Sequence, residues 1–315
     1  MPRHRIRRSA LSASVAAAVV LAGSAASGAY LTGRSPDHAP AAAASVSSVA
    51  PAATSSVAPA ATAPAATSEE RVVDLDKELA AAVEPLLSGS GTAAVSVAVL
   101  DGASGTRAVY GGADATYDTA SIVKVDILAA LLLRTQDEGR ALTAGERAHA
   151  VAMIERSDNE SATALLTAVG GALGLDAANE RLGLTATTAA TAWGLTRTTA
   201  ADQLTLLEAV FGTDADAELS RESRTYLRGL MAQVEADQQW GVSAAGSDWA
   251  LKNGWMPRTA TGLWNINSIG RVTADGRTYL VAVLSAGQRT KETGIALVES
   301  VAKAAVEVVR TGAGG

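Results

Sequence analysis

Three short clusters in the 315-residue sequence carry side chains suited to acyl transfer. Ser121 and Lys124 lie three residues apart, Ser157, Asp158 and Asn159 are consecutive, and Lys252 and Asn253 precede Gly254. A serine hydroxyl needs a base before it is a useful nucleophile. A lysine is a base near neutral pH only when burial and nearby positive charge lower its pKa. Positions three apart share a helix face, so S-x-x-K at a helix start sets the amine beside the hydroxyl. The helix N-terminus adds positive partial charge, and Lys252 would add more. Taken alone, "SIVK" is equally an ordinary helix start, because serine is common at N-termini; the two later clusters give it weight.

Composition narrows the chemistry. The three histidines are His4, His38 and His149, and there is no cysteine. Disulfides and thiolate metal sites are excluded, and one histidine outside the N-terminal region is too few for a zinc enzyme, so neither metal nor cofactor is expected. A serine hydrolase with a histidine base would have to use His149, which makes lysine the expected base. The formal net charge is −6, although the first 34 residues hold five arginines and no acid. The body is therefore more acidic still, which argues against nucleic acid and against a basic membrane-binding face.

The elements that must position these clusters follow a leader and a tether. Residues 1–29 run from a basic start through an apolar stretch to small residues, the layout of a signal peptide, either cleaved or kept as an anchor. Residues 30–67 are rich in Ala, Pro, Ser and Thr, with "SVAPAAT" twice, and read as an extended linker. A bacterial protein exported to the cell surface or medium is expected, with membrane contact only through an uncleaved anchor, and a monomer is expected.

The domain should span residues 68–311. Thr67 and Glu70 fit a capping box before Val72, Leu75, Leu79 and Val83 at helical spacing. "TAAVSVAVLDGASGTRAVYGG" reads as a hairpin. The Ser121 helix follows, then two helices broken at Ser157–Asn159, the first capped by Thr143 and Glu146. A threonine-rich loop from "AANERLG" leads into a helix, and "SRESRTYLRGLMAQVEAD" is another. Three strand-like runs carry the Lys252 cluster and a hairpin turn at "ADGR"; a helix closes the chain. This order predicts an α+β fold: one five-stranded antiparallel sheet built from both chain ends, packed with helices, and an all-helical insertion between strands two and three.

S-x-x-K, S-D-N and K-x-G in this order resemble the penicillin-recognising serine enzymes of the class A β-lactamase-like family. "SDN", "KNGW" and "NSIGRV" resemble secreted actinobacterial members in particular. The resemblance implies that Ser157 relays a proton to the leaving nitrogen, Asn159 binds a substrate amide, and Lys252 and Asn253 meet a substrate carboxylate. It further implies that Gly254 permits close approach, and that the backbone N–H groups of Ser121 and Trp255 form an oxyanion hole. The family's deacylating glutamate should fall near Thr185 or Ala186, yet no acid lies between Arg181 and Thr199. Three functions stay open: a β-lactamase-type hydrolase acting on a β-lactam or related amide or ester, a D-Ala-D-Ala-type peptidase acting on peptidoglycan peptides, and a slowly acylated or inactive binding protein. Among other residues, Asp126 would complement the helix dipole, His149 is structural, Arg258 is a surface or carboxylate-binding arginine, and the tryptophans other than Trp255 are core.

Overall fold

The computed structural model describes residues 74–88, 93–112 and 114–312. The leader, the linker and the Thr67/Glu70 capping box lie outside these residues. Helix α1 (Leu75–Leu87) is capped by Asp74, whose carboxylate accepts from Lys77 N.

The main sheet has the order β2-β1-β7-β6-β5, all neighbours antiparallel. Its strands are β1 (Ala94–Asp101), β2 (Arg107–Tyr110), β5 (Ser247–Pro257), β6 (Trp264–Ala274) and β7 (Arg277–Gln288). The first two come from the beginning of the domain and the last three from its end, as the element order predicts. Asp275 and Gly276 both have positive φ (49° and 75°), the geometry that a tight β6–β7 hairpin requires. Strands β1 and β7 are buried on both faces, and strand periodicity sorts their side chains. Val95, Val97, Val99, Val281 and Val283 face α1 and the closing helix α8 (Lys291–Gly312); Ala98, Leu100, Leu280, Ala282 and Leu284 face the helical body. Each fully buried valine or leucine contributes about 1.5–3 kcal/mol of transfer free energy.

The helical body contains α2 (Val123–Asp137), α3 (Ala144–Glu155), α4 (Asn159–Ala168), α5 (Gly171–Arg181), α6 (Ala200–Phe211) and α7 (Arg221–Met231). The predicted Thr143/Glu146 capping box is formed at α3. Helix α5 lies where the sequence reads as the approach to a loop. It buries only Leu175, Ala178 and Asn179 and begins after Gly170, so no apolar stripe announces it. Two-residue strands β3 (Tyr117–Asp118) and β4 (Arg197–Thr198) pair beside the start of α2; they are too short to show a period.

Candidate active site

Ser121 sits in a 3-10 turn, Ala120–Ile122, that runs straight into α2. Ala120 before it and Ser157 opposite it both hold positive φ, 47° and 57°. Left-handed backbone at non-glycine residues is costly and tends to concentrate at functional sites. Ser157 ends the turn after α3, while the Asp158 side chain accepts from Ser161 N at 2.7 Å and caps α4.

Lys124, fully buried, joins the two segments. Its Nζ lies 2.9 Å from Ser121 Oγ, 2.7 Å from the Ser157 carbonyl, 3.0 Å from Ser157 Oγ and 2.8 Å from Asn159 Oδ1. Burial lowers its pKa from 10.5 to about 7, against the pull of the Asp158 carboxylate. Lys252 on β5 is also fully buried. Its ammonium or amine nitrogen donates to Ser157 Oγ (3.1 Å), Gln238 Oε1 (3.3 Å) and the Asn253 carbonyl (3.2 Å). Burial first, and the charge of Lys124 second, push its pKa well below the usual lysine value. Burial alone thus accounts for the lowering at Lys124; the expected push from Lys252 falls the other way, on Lys252 itself.

Strand periodicity then separates the residues of β5. Lys252 and Gly254 face the Ser121 turn. A Cβ on Gly254 would stand 2.6 Å from Thr119 O, 2.8 Å from Ser121 N and 2.9 Å from Ile122 N, so only glycine allows this approach. Asn253 points to the opposite face. Its Nδ2 donates to the carbonyls of Gln238 (2.7 Å) and Trp240 (2.9 Å), and the residue is fully buried. The expectation that its amide meets a substrate carboxylate is therefore corrected, because a residue adjacent to Lys252 in a strand cannot share its face. Trp255 reaches the pocket wall, while its ring packs edge-on to Trp240 (5.9 Å) and under Lys291 Nζ (4.1 Å).

Ser121, Asn159, Trp193, Leu195, Trp255 and Met256 line a cavity of about 350 Å³. Among the described residues, Asn159 Nδ2 has no hydrogen-bond partner and is free for a ligand. The loop expected to carry a glutamate carries none. Ala186 N and Thr187 Oγ1 donate to Asp202 Oδ2 at 2.9 and 2.6 Å, so the nearby acid on α6 is buried and committed to bracing the loop. Glu180, the acid just before this loop, is exposed on α5. No cluster of three metal-ligating side chains occurs among the described residues.

Several contributors escape sequence reasoning. Asn267 on β6 donates to the carbonyls of Asp118 (2.9 Å) and Thr119 (3.0 Å), pinning the segment before Ser121. Gln238 holds Lys252 from a 3-10 turn. Trp193, expected in the core, packs against it and also lines the cavity; only its place in the threonine-rich loop hints at the second role. Arg258 is committed to Asp118 (2.6 Å) together with Arg197 (3.2 Å). Asp126 lies in the first turn of α2, as expected, and is wholly buried there. Gln203 Nε2 donates to its Oδ1 at 3.4 Å, and burial raises its pKa to about 7. His149 Nδ1 lies 3.0 Å from Ser161 Oγ, a contact between α3 and α4.

Comparison with solved structures shows the same fold. A class A β-lactamase from Bacteroides cellulosilyticus is similar at 18% identity and TM-score 0.65, covering 76% of this chain and 99% of that one. An ancestral class A β-lactamase is similar at 25% identity and TM-score 0.59, covering 74% and 99%. A mutant of PBP-A, solved as an acyl-enzyme complex with penicillin G, is similar at 21% identity and TM-score 0.62, covering 75% and 97%. No curated protein matches. The model of the beta-lactamase enzyme family matches residues 133–309, more than half of the 315 residues, starting after the S-x-x-K motif. The chain belongs to the beta-lactamase enzyme family.

Proposed function

We propose that the protein is an exported serine hydrolase that forms an acyl-enzyme through Ser121 with a β-lactam or a related amide or ester. One observation carries this reading: Lys124 Nζ, buried and with a pKa near 7, stands 2.9 Å from Ser121 Oγ. A neutral amine has two N–H donors and one lone pair. It can donate to the Ser157 carbonyl and Asn159 Oδ1, which only accept, and turn its lone pair to the Ser121 hydroxyl.

In this mechanism Ser121 Oγ attacks the substrate carbonyl and its proton passes to Lys124. The N–H groups of Ser121 and Trp255 receive the oxyanion, as the resemblance implies, beside the close approach at Gly254. The proton moves through Ser157 Oγ to the leaving nitrogen as the C–N bond breaks. Lys252 attracts the substrate carboxylate and Asn159 an amide of the acyl side chain. Release to the cell surface or medium is part of the proposal and rests on the signal-like leader alone.

The loop without an acid favours slow deacylation, the one respect in which a D-Ala-D-Ala-type peptidase or a slowly turning over binder fits as well. Intact-protein mass spectrometry after incubation with benzylpenicillin tests the reading, with Ser121→Ala as control. A persistent adduct in the wild type only is the expected result. Neither adduct nor product in the wild type would remove the β-lactam reading and leave wall peptides and esters as substrates.

A further inference from the structure

Where the 184–199 loop crosses the catalytic lysine it presents an aromatic ring. The Trp193 ring centroid lies 4.8 Å from Lys124 Nζ. The residue is held at both ends. Its Nε1 donates to Thr163 Oγ1 on α4 at 3.2 Å, and its carbonyl accepts from Thr196 N (3.0 Å) and Thr119 Oγ1 (3.4 Å). The next residue, Gly194, lies against the Ser121 turn, with a Cβ position 3.8 Å from Ala120 Cα. The indole therefore spans the cavity from the Ser121 turn to α4, with Lys124 beneath it.

We infer that Trp193 is a positioning residue: it keeps water off Lys124 and off the acyl group on Ser121, so the acyl intermediate is held rather than released to water. The inference rests on the acyl-enzyme reading above. Hydrolysis breaks the bond between Ser121 Oγ and the acyl carbon, forms the C–OH bond from water, and returns a proton to Oγ. It requires a base and a seat for that water beside the ester. An indole provides no base, since its only polar atom is a donor, and here that donor is engaged with Thr163. Attraction between the ring and an ammonium favours protonated Lys124, whereas exclusion of water favours the neutral amine. Burial is the largest influence on Lys124 and lowers its pKa, and the ring that lies 4.8 Å from its Nζ is part of what buries it. The other charged groups that face Lys124 are Asp158 at the start of α4 and Lys252 on β5, reached through Ser157. Both stay in place when Trp193 is replaced.

The test uses the full chain as wild type, Trp193→Ala and Trp193→Phe, labelled with 13C-lysine. Two quantities are measured: the titration midpoint of Lys124 by NMR, and the lifetime of the benzylpenicillin adduct by intact mass. In Trp193→Ala the midpoint should rise by about one pH unit and the lifetime should fall about ten-fold or more. Trp193→Phe should stay close to the wild type in both. An unmoved midpoint, or an unmoved lifetime, in a folded Trp193→Ala protein overturns the inference. If the wild type forms no adduct, the acyl-enzyme reading fails on its own. The midpoint then decides separately whether Trp193 dries Lys124. If Trp193→Ala fails to fold by circular dichroism, Trp193→Ser, which likewise opens the space to water, replaces it under the same criteria.

Discussion

Lys124 and Lys252 reach the same hydroxyl from two different elements: Ser157 Oγ is 3.0 Å from the Nζ of one and 3.1 Å from that of the other. Two buried ammonium groups sharing one hydroxyl repel each other, and burial has already disfavoured both charges. The site therefore resists holding two protons on its two lysines. An incoming carboxylate changes this balance, because it favours a charged Lys252. Binding of a carboxylate ligand should then take up a proton, which calorimetry in buffers of different ionisation enthalpy reads directly. An observed enthalpy independent of buffer would mean that Lys252 is already charged.

Ser157→Ala removes the hydroxyl that connects the two amines. Acylation should fall by about 10²–10⁴-fold, the usual contribution of a positioned proton-transfer group. The fold should survive, since the Asp158 cap of α4 is untouched. Burst kinetics with a chromogenic β-lactam or ester measures the loss; a change of less than about three-fold would leave Ser157 no part in proton transfer.

Lys124 must be neutral to act as a base, so acylation should rise with pH through a midpoint of about 7 and level off above it. The same group sets a stability slope. Its folded pKa lies below its unfolded value of 10.5, so between about 7 and 10.5 the unfolded chain binds more protons. Stability from this group therefore increases as pH rises across that window. Lys124→Met should flatten the increase, which urea unfolding at several pH values would reveal as a smaller difference between pH 7 and pH 9.5.

Gly254→Ala places a methyl group against the backbone of Thr119, Ser121 and Ile122. Either β5 or the Ser121 turn must move. Overpacking of this kind costs about 1–3 kcal/mol of stability, and a displaced nucleophile should lose about a hundred-fold or more in acylation. Thermal melting and acylation kinetics on the same sample separate the two effects. Wild-type kinetics in the variant would show that the close approach does not position Ser121.

Asn253→Ala leaves the carbonyls of Gln238 and Trp240 without their donors in a buried place. Each such loss costs about 1–3 kcal/mol, and the Gln238 turn that holds Lys252 should loosen. Stability should suffer more than recognition of a substrate carboxylate. The reverse outcome, a large rise in KM with an unchanged melting temperature, would return Asn253 to the ligand.

Local chemistry was legible in the sequence wherever one short segment carried it. The Ser121 and Lys124 spacing, the helix break at Ser157, the Thr143/Glu146 box and the Asp275–Gly276 turn are each written within a few residues. The two-ended sheet follows from element order and short connections. Trp193, Gln238 and Asn267 were not legible, because each acts on a partner far along the chain and none belongs to a periodic pattern. Asn253 was misplaced for a different reason: the motif groups adjacent residues, whereas a strand sends adjacent side chains to opposite faces. Helix α5 was hidden by its weak apolar stripe.

The sheet divides the molecule into a working side and a handling side. Helices α1 and α8 lie together on the face opposite the Ser121 turn. Attachments at either end of the described fold thus emerge behind the sheet. A fluorophore, affinity tag or solid support joined at the start of α1 or the end of α8 sits behind the sheet, on the face away from the Ser121 turn.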